Sequence, residues 1–195
     1  MESVPDNRAD VWDERYAAGH QLWTLGPHPL VPEVLCERGP GRALDLGAGE
    51  GRHALWLAQR GWQVTAVDFS SVGVELGRAH ATAAGLDISW HVADLAAWSP
   101  AGQLFDLALI SYVFLEEDVM QRVRSWIVPG GLLMVIGHAA TTAADGRTPR
   151  NPAFLHTVDS MRRRAGEFTV LRCEESVRVD PEGRERVDVL LLAHP

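Results

Sequence analysis

The sequence predicts a three-layer α/β fold, in which a mostly parallel sheet of seven strands lies between helices and ends in an antiparallel hairpin. Two observations predict this fold. Short apolar runs alternate with segments of helical period from residue 42 onward. Two alternating segments, 169–179 and 186–193, then flank a turn at Asp180-Pro181-Glu182-Gly183. The length of 195 residues predicts a single domain over 1–195, with 1–40 as a helical N-terminal cap and 41–195 as the core.

The first half of the core has the pattern of two strand–helix–strand units. Residues 43–46 form an apolar strand, and a glycine-rich turn then leads into a helix over 52–60. The second strand spans 63–69. Ser70 can cap a helix that ends at Gly85, since glycine readily adopts the left-handed conformation that stops a helix. A third strand follows at Ile88–Val92.

The second half begins with a strand at Phe105–Ser111, which is apolar enough to be covered on both faces. Three acids at 116–118 favour the start of a helix, because they interact well with its dipole. That helix is expected to end at Val128-Pro129-Gly130-Gly131, before a fifth strand at 132–137. Asn151-Pro152 predicts the start of a helix that runs to Arg164.

Composition excludes several classes of protein. The formal charge of −8, from 26 acids and 18 bases, argues against a general nucleic-acid binder. We find no apolar run of about 18 residues and no signal peptide, so we expect no membrane span. Cys36 and Cys173 form no disulfide framework, which favours a cytoplasmic protein. The eight histidines lack H-x-x-x-H spacing, which predicts no metal site, and a G-x-S-x-G hydrolase motif is missing.

A glycine-rich corner between the first strand and its helix is the most informative segment: Asp45-Leu46-Gly47-Ala48-Gly49-Glu50-Gly51. Glycines let the backbone turn sharply and let a ligand approach without meeting a Cβ atom. Asp68 ends the second strand, where a carboxylate can accept hydrogen bonds from ribose hydroxyls. Together these features predict a nucleoside-binding site.

The spacing of the glycines separates two kinds of nucleoside. A dinucleotide-binding corner needs a third small residue where Arg52 stands. A carboxylate at Asp45 is unfavourable near a pyrophosphate but favourable near an ammonium or a sulfonium. We therefore expect an aminoacyl nucleoside and keep an NAD(P)-dependent oxidoreductase as an alternative.

These motifs, with Asp94, Phe105-Asp106-Leu107 and Pro129-Gly130-Gly131, resemble a class I S-adenosylmethionine-dependent methyltransferase over residues 42–138. The resemblance implies a Rossmann-like sheet of seven strands. Within the class, Gly49-Glu50-Gly51-Arg52 is similar to the tellurite-resistance (TehB-like) and thiopurine methyltransferase-like small-molecule enzymes.

The resemblance implies that S-adenosyl-L-methionine and its product S-adenosyl-L-homocysteine are bound by nine residues: Asp45, Gly47, Gly49, Gly51, Asp68, Phe69, Asp94, Leu95 and Ser111. The glycines would lie under the methionyl part, with Asp45 near its amino group. Asp68 would hold the ribose hydroxyls, and Asp94 would reach the adenine amino group.

Residues that follow the fourth and fifth strands, and aromatic residues of the cap, are the candidates for contact with a methyl acceptor. Tyr112 and His138 are the candidate catalytic residues, and Tyr16, Trp23 and Phe114 are candidate lining residues. The Asn-Pro-Pro-aromatic signature of amino-directed nucleic-acid methyltransferases is absent after the fourth strand. We therefore expect a small-molecule acceptor, with its sulfur, selenium, tellurium, oxygen or nitrogen atom left open. The need for a general base and the oligomeric state also stay open. A non-catalytic cofactor-binding sensor or partner subunit remains a second alternative.

Overall fold

The computed structural model describes residues 8–18, 26–141, 152–180 and 183–195. The chain divides into two compact units, Met1–Ala101 and Gly102–Pro195. The single domain expected over 1–195 stays a prediction.

The described part of the first unit contains a parallel sheet of three strands, β1 (Arg42–Leu46), β2 (Gln63–Asp68) and β3 (Ile88–Val92). The middle strand, β2, pairs in parallel with β1 and with β3. Four of the five residues of β1 and five of the six residues of β2 are buried, as expected of parallel strands covered on both faces. The carboxyl ends of β1 and β2 carry the glycine corner and Asp68.

Two helices follow β1 and β2, as the sequence predicts. Helix α3 (Arg52–Gln59) begins after Gly51, whose φ of 83° lies in the left-handed region. Helix α4 (Ser71–Ala83) begins after Ser70, whose side chain accepts a hydrogen bond from the Gly73 amide at 3.0 Å. This bond satisfies one of the free amides at the helix start.

The N-terminal segment contributes the short helices α1 (Ala9–Ala17) and α2 (Leu30–Leu35). Asp13 attaches α1 to the start of α4: its Oδ1 accepts hydrogen bonds from the Ser70 hydroxyl at 2.5 Å and the Val72 amide at 3.1 Å. The second oxygen accepts one from the Ser71 hydroxyl at 3.2 Å. These bonds lower the pKa of Asp13, with the Ser70 bond as the largest cause.

In its described ranges the second unit has four long strands, namely β4 (Phe105–Ser111), β5 (Ile127–Ala139), β7 (Thr169–Val179) and β8 (Glu185–His194). Strands β4 and β5 are parallel, whereas β8 pairs in antiparallel fashion with both β5 and β7. The prediction of mostly parallel strands with a C-terminal antiparallel hairpin is confirmed.

Two boundaries in this unit differ from the sequence prediction. Strand β5 already begins at Ile127, so 128–131 lies inside the strand, where its pairing with β4 shifts register between Phe105 and Leu107. The helix expected from Asn151-Pro152 begins later: α6 spans Val158–Ala165.

The segment before α6 explains this later start. Asn151 lies outside the described residues; Pro152–Phe154 is a 3₁₀ turn, and Leu155–His156 is a two-residue strand, β6, parallel to β5. The residue that caps the start of α6 is Thr157, whose hydroxyl accepts a hydrogen bond from the Ser160 amide at 3.1 Å. In return, the Ser160 hydroxyl accepts a hydrogen bond from the Thr157 amide. Helix α5 spans Glu117–Arg124: it begins at the predicted acids but ends before the expected Val128-Pro129-Gly130-Gly131, because β5 already begins at Ile127.

Replacing Thr157 with alanine is expected to destabilise the protein by about 1 kcal/mol, because the Ser160 amide loses its capping partner. Urea unfolding followed by circular dichroism measures this change. Thr169 is exposed and serves as the matched control, for which alanine is expected to shift stability by less than about 0.5 kcal/mol. Equal losses in the two variants would show that the cap does not stabilise α6.

Candidate cofactor and acceptor sites

The glycine corner turns sharply because three of its glycines adopt the left-handed conformation. The φ angles are 75° at Gly47, 53° at Gly49 and 83° at Gly51, values that residues with a Cβ rarely adopt. The amides of Gly47 and Ala48 both donate to the carbonyl of Val67, at 2.8 and 3.1 Å. The corner is thereby tied to the end of β2.

Tyr16 of α1 lies directly against this corner. A Cβ at Gly49 would overlap the Tyr16 hydroxyl, and one at Gly73 would overlap the Tyr16 ring. Only 6% of Tyr16 is exposed. This aromatic residue, predicted to line the acceptor pocket, therefore packs between the glycine corner and the start of α4.

Asp68 links the corner to the start of α4 through both carboxylate oxygens. Oδ2 accepts a hydrogen bond from the Gly49 amide and Oδ1 accepts one from the Ser70 amide, each at 2.8 Å. Burial raises the pKa of Asp68, although these two amide bonds oppose the rise. A carboxylate oxygen can accept more than one hydrogen bond, so both oxygens retain capacity for ligand hydroxyls.

Among the described carboxylates of the first unit, Asp45 is the most completely buried, with 1% of its surface exposed. Its Oδ2 has no hydrogen-bond partner among the residues that the structure describes. Burial raises the pKa of Asp45 to about 7, while the nearby Arg52 lowers it. A buried carboxylate oxygen without a partner is costly in a folded protein, and a bound ammonium group would offset that cost.

The remaining predicted cofactor residues of the first unit follow β2 and β3. Phe69 is half-buried and comes directly after Asp68, whose carbonyl accepts a hydrogen bond from the Ala93 amide at 2.9 Å. Asp94 is exposed, and its Oδ1 accepts a hydrogen bond from the Ala96 amide at 2.8 Å. Leu95 is 8% exposed and offers an apolar surface.

The second unit brings Tyr112 and His138 together. Their ring centroids are 4.3 Å apart, and the Tyr112 amide donates to the Ile136 carbonyl at 2.8 Å. Tyr112 has a φ of 59°, a left-handed conformation that is unfavourable for a bulky aromatic residue. Such strain is concentrated at functional sites.

Ser111 and Phe114, the other two candidate residues that the structure describes in this unit, lie in different surroundings. Ser111 Oγ is buried and has no hydrogen-bond partner within the described ranges. Phe114 packs on Phe154 at a centroid distance of 5.8 Å, and the Arg164 guanidinium lies 4.5 Å from the Phe114 ring centroid. Trp23 lies outside the described residues.

Sequence reasoning missed three polar residues beside these sites: Asp13, Arg178 and Asp188. Asp188 carries a detectable signal, because it interrupts the apolar run Val187-Asp188-Val189-Leu190. Its side chain is 1% exposed and accepts a hydrogen bond from Arg178 Nε at 2.7 Å. A carboxylate inside an apolar strand is costly to bury and therefore indicates a partner.

Comparison with known proteins agrees with this geometry. Residues 43–131 match the family described as "Methyltransferase domain". Ubiquinone biosynthesis O-methyltransferase from Brucella anthropi is 31% identical over 109 residues, which are 54% of this chain and 44% of that protein. The tRNA 5-carboxymethoxyuridine methyltransferase from Escherichia coli is 34% identical over 119 residues, or 56% of this chain and 46% of that protein. The chain spans about half the length of the curated relatives it matches.

NodS and TehB are two of the solved structures that share the fold. N-methyltransferase NodS from Bradyrhizobium japonicum, in complex with S-adenosyl-L-homocysteine, has a TM-score of 0.74 and 18% identity over 96% of this chain and 98% of its own. TehB from Haemophilus influenzae has a TM-score of 0.70 and 19% identity over 95% of this chain and 66% of its own. The Rossmann-like fold class and the likeness to TehB are confirmed at the level of the fold.

Residues 43–131 thus match a methyltransferase domain, and the fold is shared with NodS, whose solved structure holds S-adenosyl-L-homocysteine, the product of the cofactor S-adenosyl-L-methionine. The residues of the first unit fit this cofactor: Asp45 presents a partnerless buried oxygen among the described residues, and the glycine corner exposes backbone without side chains. No helix among the described residues is long and apolar enough to cross a membrane.

Proposed function

We propose that this chain transfers a methyl group from S-adenosyl-L-methionine to a small-molecule nucleophile. The observation that carries the proposal is the buried Asp45 Oδ2, which lacks a hydrogen-bond partner among the described residues at a left-handed glycine corner. A pyrophosphate would place like charges beside this carboxylate, whereas the amino group of the methionyl part supplies the missing donor. This contrast disfavours the NAD(P)-dependent alternative.

The cofactor role is assigned mainly to residues of the first unit. Asp45 accepts the ammonium group, and the corner formed by Gly47, Gly49 and Gly51 admits the methionyl chain. Asp68 accepts the ribose hydroxyls through the remaining capacity of its two oxygens. Phe69, Leu95 and Asp94 contact the adenine, and Ser111 of the second unit stays a predicted cofactor residue.

The acceptor role is assigned to Tyr112 and His138, with Phe114 as an apolar surface; Tyr16 and Trp23 stay predicted lining residues. The cofactor supplies an electrophilic methyl group, so these residues need to orient the nucleophile in line with the methyl–sulfur bond. A small acceptor agrees with the charge of −8 and with the name of the ubiquinone-pathway relative.

Because Cys36 and Cys173 are free thiols, we also assign this activity to the cytoplasm.

Two measurements test the function. Calorimetric titration with S-adenosyl-L-homocysteine is expected to show binding, with NADH as the contrasting ligand. A methyl-transfer assay then covers phenols, thiols, amines, selenide, tellurite, and tRNA with and without 5-carboxymethoxyuridine. Transfer to tRNA alone would replace the small-molecule proposal, since one relative is a tRNA methyltransferase. Cofactor binding with no transfer to any acceptor would favour the sensor.

Replacing Asp68 with alanine is expected to weaken binding of S-adenosyl-L-homocysteine by about 1–3 kcal/mol, because hydrogen bonds to a charged acceptor are lost. Calorimetry measures this loss. Asp87 is an exposed carboxylate of the same unit, so Asp87→Ala is the matched control and is expected to bind as the parent does. Unchanged affinity in Asp68→Ala would remove this residue from the site.

A further inference from the structure

A row of three polar side chains crosses three neighbouring strands of the second unit. His138 on β5 and Asp188 on β8 are directly opposed in the antiparallel register. Arg178 on β7 is opposed to Arg186, two residues before Asp188, so it occupies the diagonal position. Opposed and diagonal residues lie on the same face of an antiparallel sheet, where their side chains meet.

Each of the two carboxylate oxygens of Asp188 faces a different side chain of this row. Arg178 Nε donates to Oδ2 at 2.7 Å, and His138 Nδ1 lies 3.8 Å from Oδ1. The carboxylate is 1% exposed, whereas His138 is 23% exposed. One edge of the imidazole thus faces a buried charge, and the ring keeps a surface that a ligand can reach.

Arg178 fixes the carboxylate in this orientation. Burial opposes the charge of Arg178, but Tyr112 and Asp188 together raise the pKa of the guanidinium, so it stays charged. Its Nη2 also lies 3.4 Å from the Tyr112 hydroxyl. Since one guanidinium contacts both Asp188 and Tyr112, the two groups that neighbour His138 are held together.

The strained Tyr112 packs against the ring of His138. Its φ of 59° carries a conformational cost, which the surrounding structure must offset. The resulting ring position, 4.3 Å from the His138 ring, gives the imidazole an aromatic neighbour in addition to the carboxylate. An ion pair that only stabilised the hairpin would need neither the strained tyrosine nor the histidine.

We infer that Asp188 is a positioning residue that keeps His138 Nδ1 toward its carboxylate, so that Nε2 accepts the proton of a protic methyl acceptor. This inference rests on the proposed function and names the acceptor class: a hydroxyl, an amine or a thiol. His138 takes the proton as the heteroatom bonds to the methyl carbon, and the electron pair of the methyl–sulfur bond stays on sulfur. The products are the methylated acceptor, the thioether and a protonated His138.

The pH dependence of this step follows from the charges that face His138. Asp188 favours the protonated imidazole and Arg178 disfavours it, while a tyrosine phenol such as that of Tyr112 is ordinarily neutral near pH 7. His156 of β6 stays neutral as well, because burial, Arg164 and His138 lower its pKa to about 4. Replacing Asp188 with asparagine leaves the guanidinium as the nearest charge, so the His138 titration is expected to move to lower pH by about one unit.

The first test measures the titration of the His138 ring itself, in the protein without cofactor. Nuclear magnetic resonance titration of the histidine ring signals, assigned with His138→Gln, is compared between the parent and Asp188→Asn. Asp180→Asn is the matched control: Asp180 is also buried, pairs with Arg184 and Arg186, and belongs to the same hairpin. A downward shift in Asp188→Asn alone is expected. Equal titrations in the two variants would overturn the inference.

A measurement on the parent protein does not depend on how the variants fold. Long-range proton–nitrogen correlation identifies which ring nitrogen of neutral His138 carries the proton. We expect Nδ1, the nitrogen that faces Asp188. A proton on Nε2 would leave that nitrogen unable to act as the base and would also overturn the inference.

The second test is the pH profile of kcat, measured with the protic acceptor that the methyl-transfer assay identifies. In Asp188→Asn the acidic limb is expected to move to lower pH by the same amount as the titration, with a plateau about 10- to 100-fold lower. The KM for the cofactor is expected to stay unchanged, which a general loss of structure would not allow. An unmoved acidic limb overturns this inference alone, and so does transfer restricted to proton-free acceptors. Absence of transfer by the parent to every acceptor overturns the proposed function.

Discussion

Replacing Asp45 with asparagine is expected to weaken binding of S-adenosyl-L-homocysteine by about 2–5 kcal/mol, the cost of truncating one partner of a buried charge pair. The asparagine side chain would keep the shape of the aspartate but present no charge to the ammonium group. The parent Asp45 is 1% exposed and its Oδ2 lacks a partner among the described residues, so water cannot readily replace the lost interaction. Calorimetry at about pH 7.5, just above the pKa of the carboxyl, measures the change.

The same substitution is expected to stabilise the cofactor-free protein at high pH. Burial raises the pKa of Asp45 to about 7, well above the ordinary value of 3.8 that applies in an unfolded chain. Between these two values the folded state binds more protons than the unfolded state, so the free energy of unfolding falls as the pH rises through this window. Above pH 7 the full cost of the ionised carboxylate is present, and asparagine removes it.

The test compares the free energy of unfolding of Asp45→Asn with that of the parent at each pH, because other groups titrate in both proteins. The stability of Asp45→Asn relative to the parent is expected to increase by about 3 kcal/mol between about pH 5 and pH 8, at about 1.4 kcal/mol for each pH unit below the folded pKa. Any pH-independent effect of the amide cancels in this comparison. Asp87→Asn, an exposed carboxylate, is the control and is expected to show no such trend. A pH-independent difference for Asp45→Asn would mean that its carboxyl has an ordinary pKa.

The features of the candidate site that the sequence predicts well are those whose geometry is local. Gly47, Gly49 and Gly51 are recognisable because a sharp turn after a buried strand requires positive φ angles, and all three adopt them. Asp68 is recognisable for a similar reason, since it ends its strand. These positions depend on neighbouring residues in the chain and not on distant contacts.

The residues that the sequence does not reveal depend on long-range pairing. Asp188 faces His138 only in the observed register of β5 and β8, and a slip of one residue would turn its side chain to the opposite face. Asp13 reaches the start of α4 across more than fifty residues of chain. Neither register nor helix docking can be read from one sequence, because many pairings satisfy the same apolar pattern.

Trp90 connects the glycine corner to α4 and is the clearest example of such a distant contact. The edge of its ring lies where a Cβ at Gly51 or at Gly77 would lie. The residue is 8% exposed, and its carbonyl accepts a hydrogen bond from Arg78 Nη2 at 2.8 Å. The two glycines thus serve as contact surfaces for the indole, in addition to any role in the backbone.

Trp90→Ala is expected to destabilise the protein by about 3–5 kcal/mol, since it removes a buried indole and leaves a cavity that two glycines cannot fill. Trp98 of the same unit is half-buried against His91, and Trp98→Ala is the matched control with an expected loss of about 1 kcal/mol. Urea unfolding measures both variants. Because the cavity opens beside Gly51, Trp90→Ala is also expected to weaken cofactor binding more than the control does. Losses of similar size in the two variants would show that the indole does not support the corner.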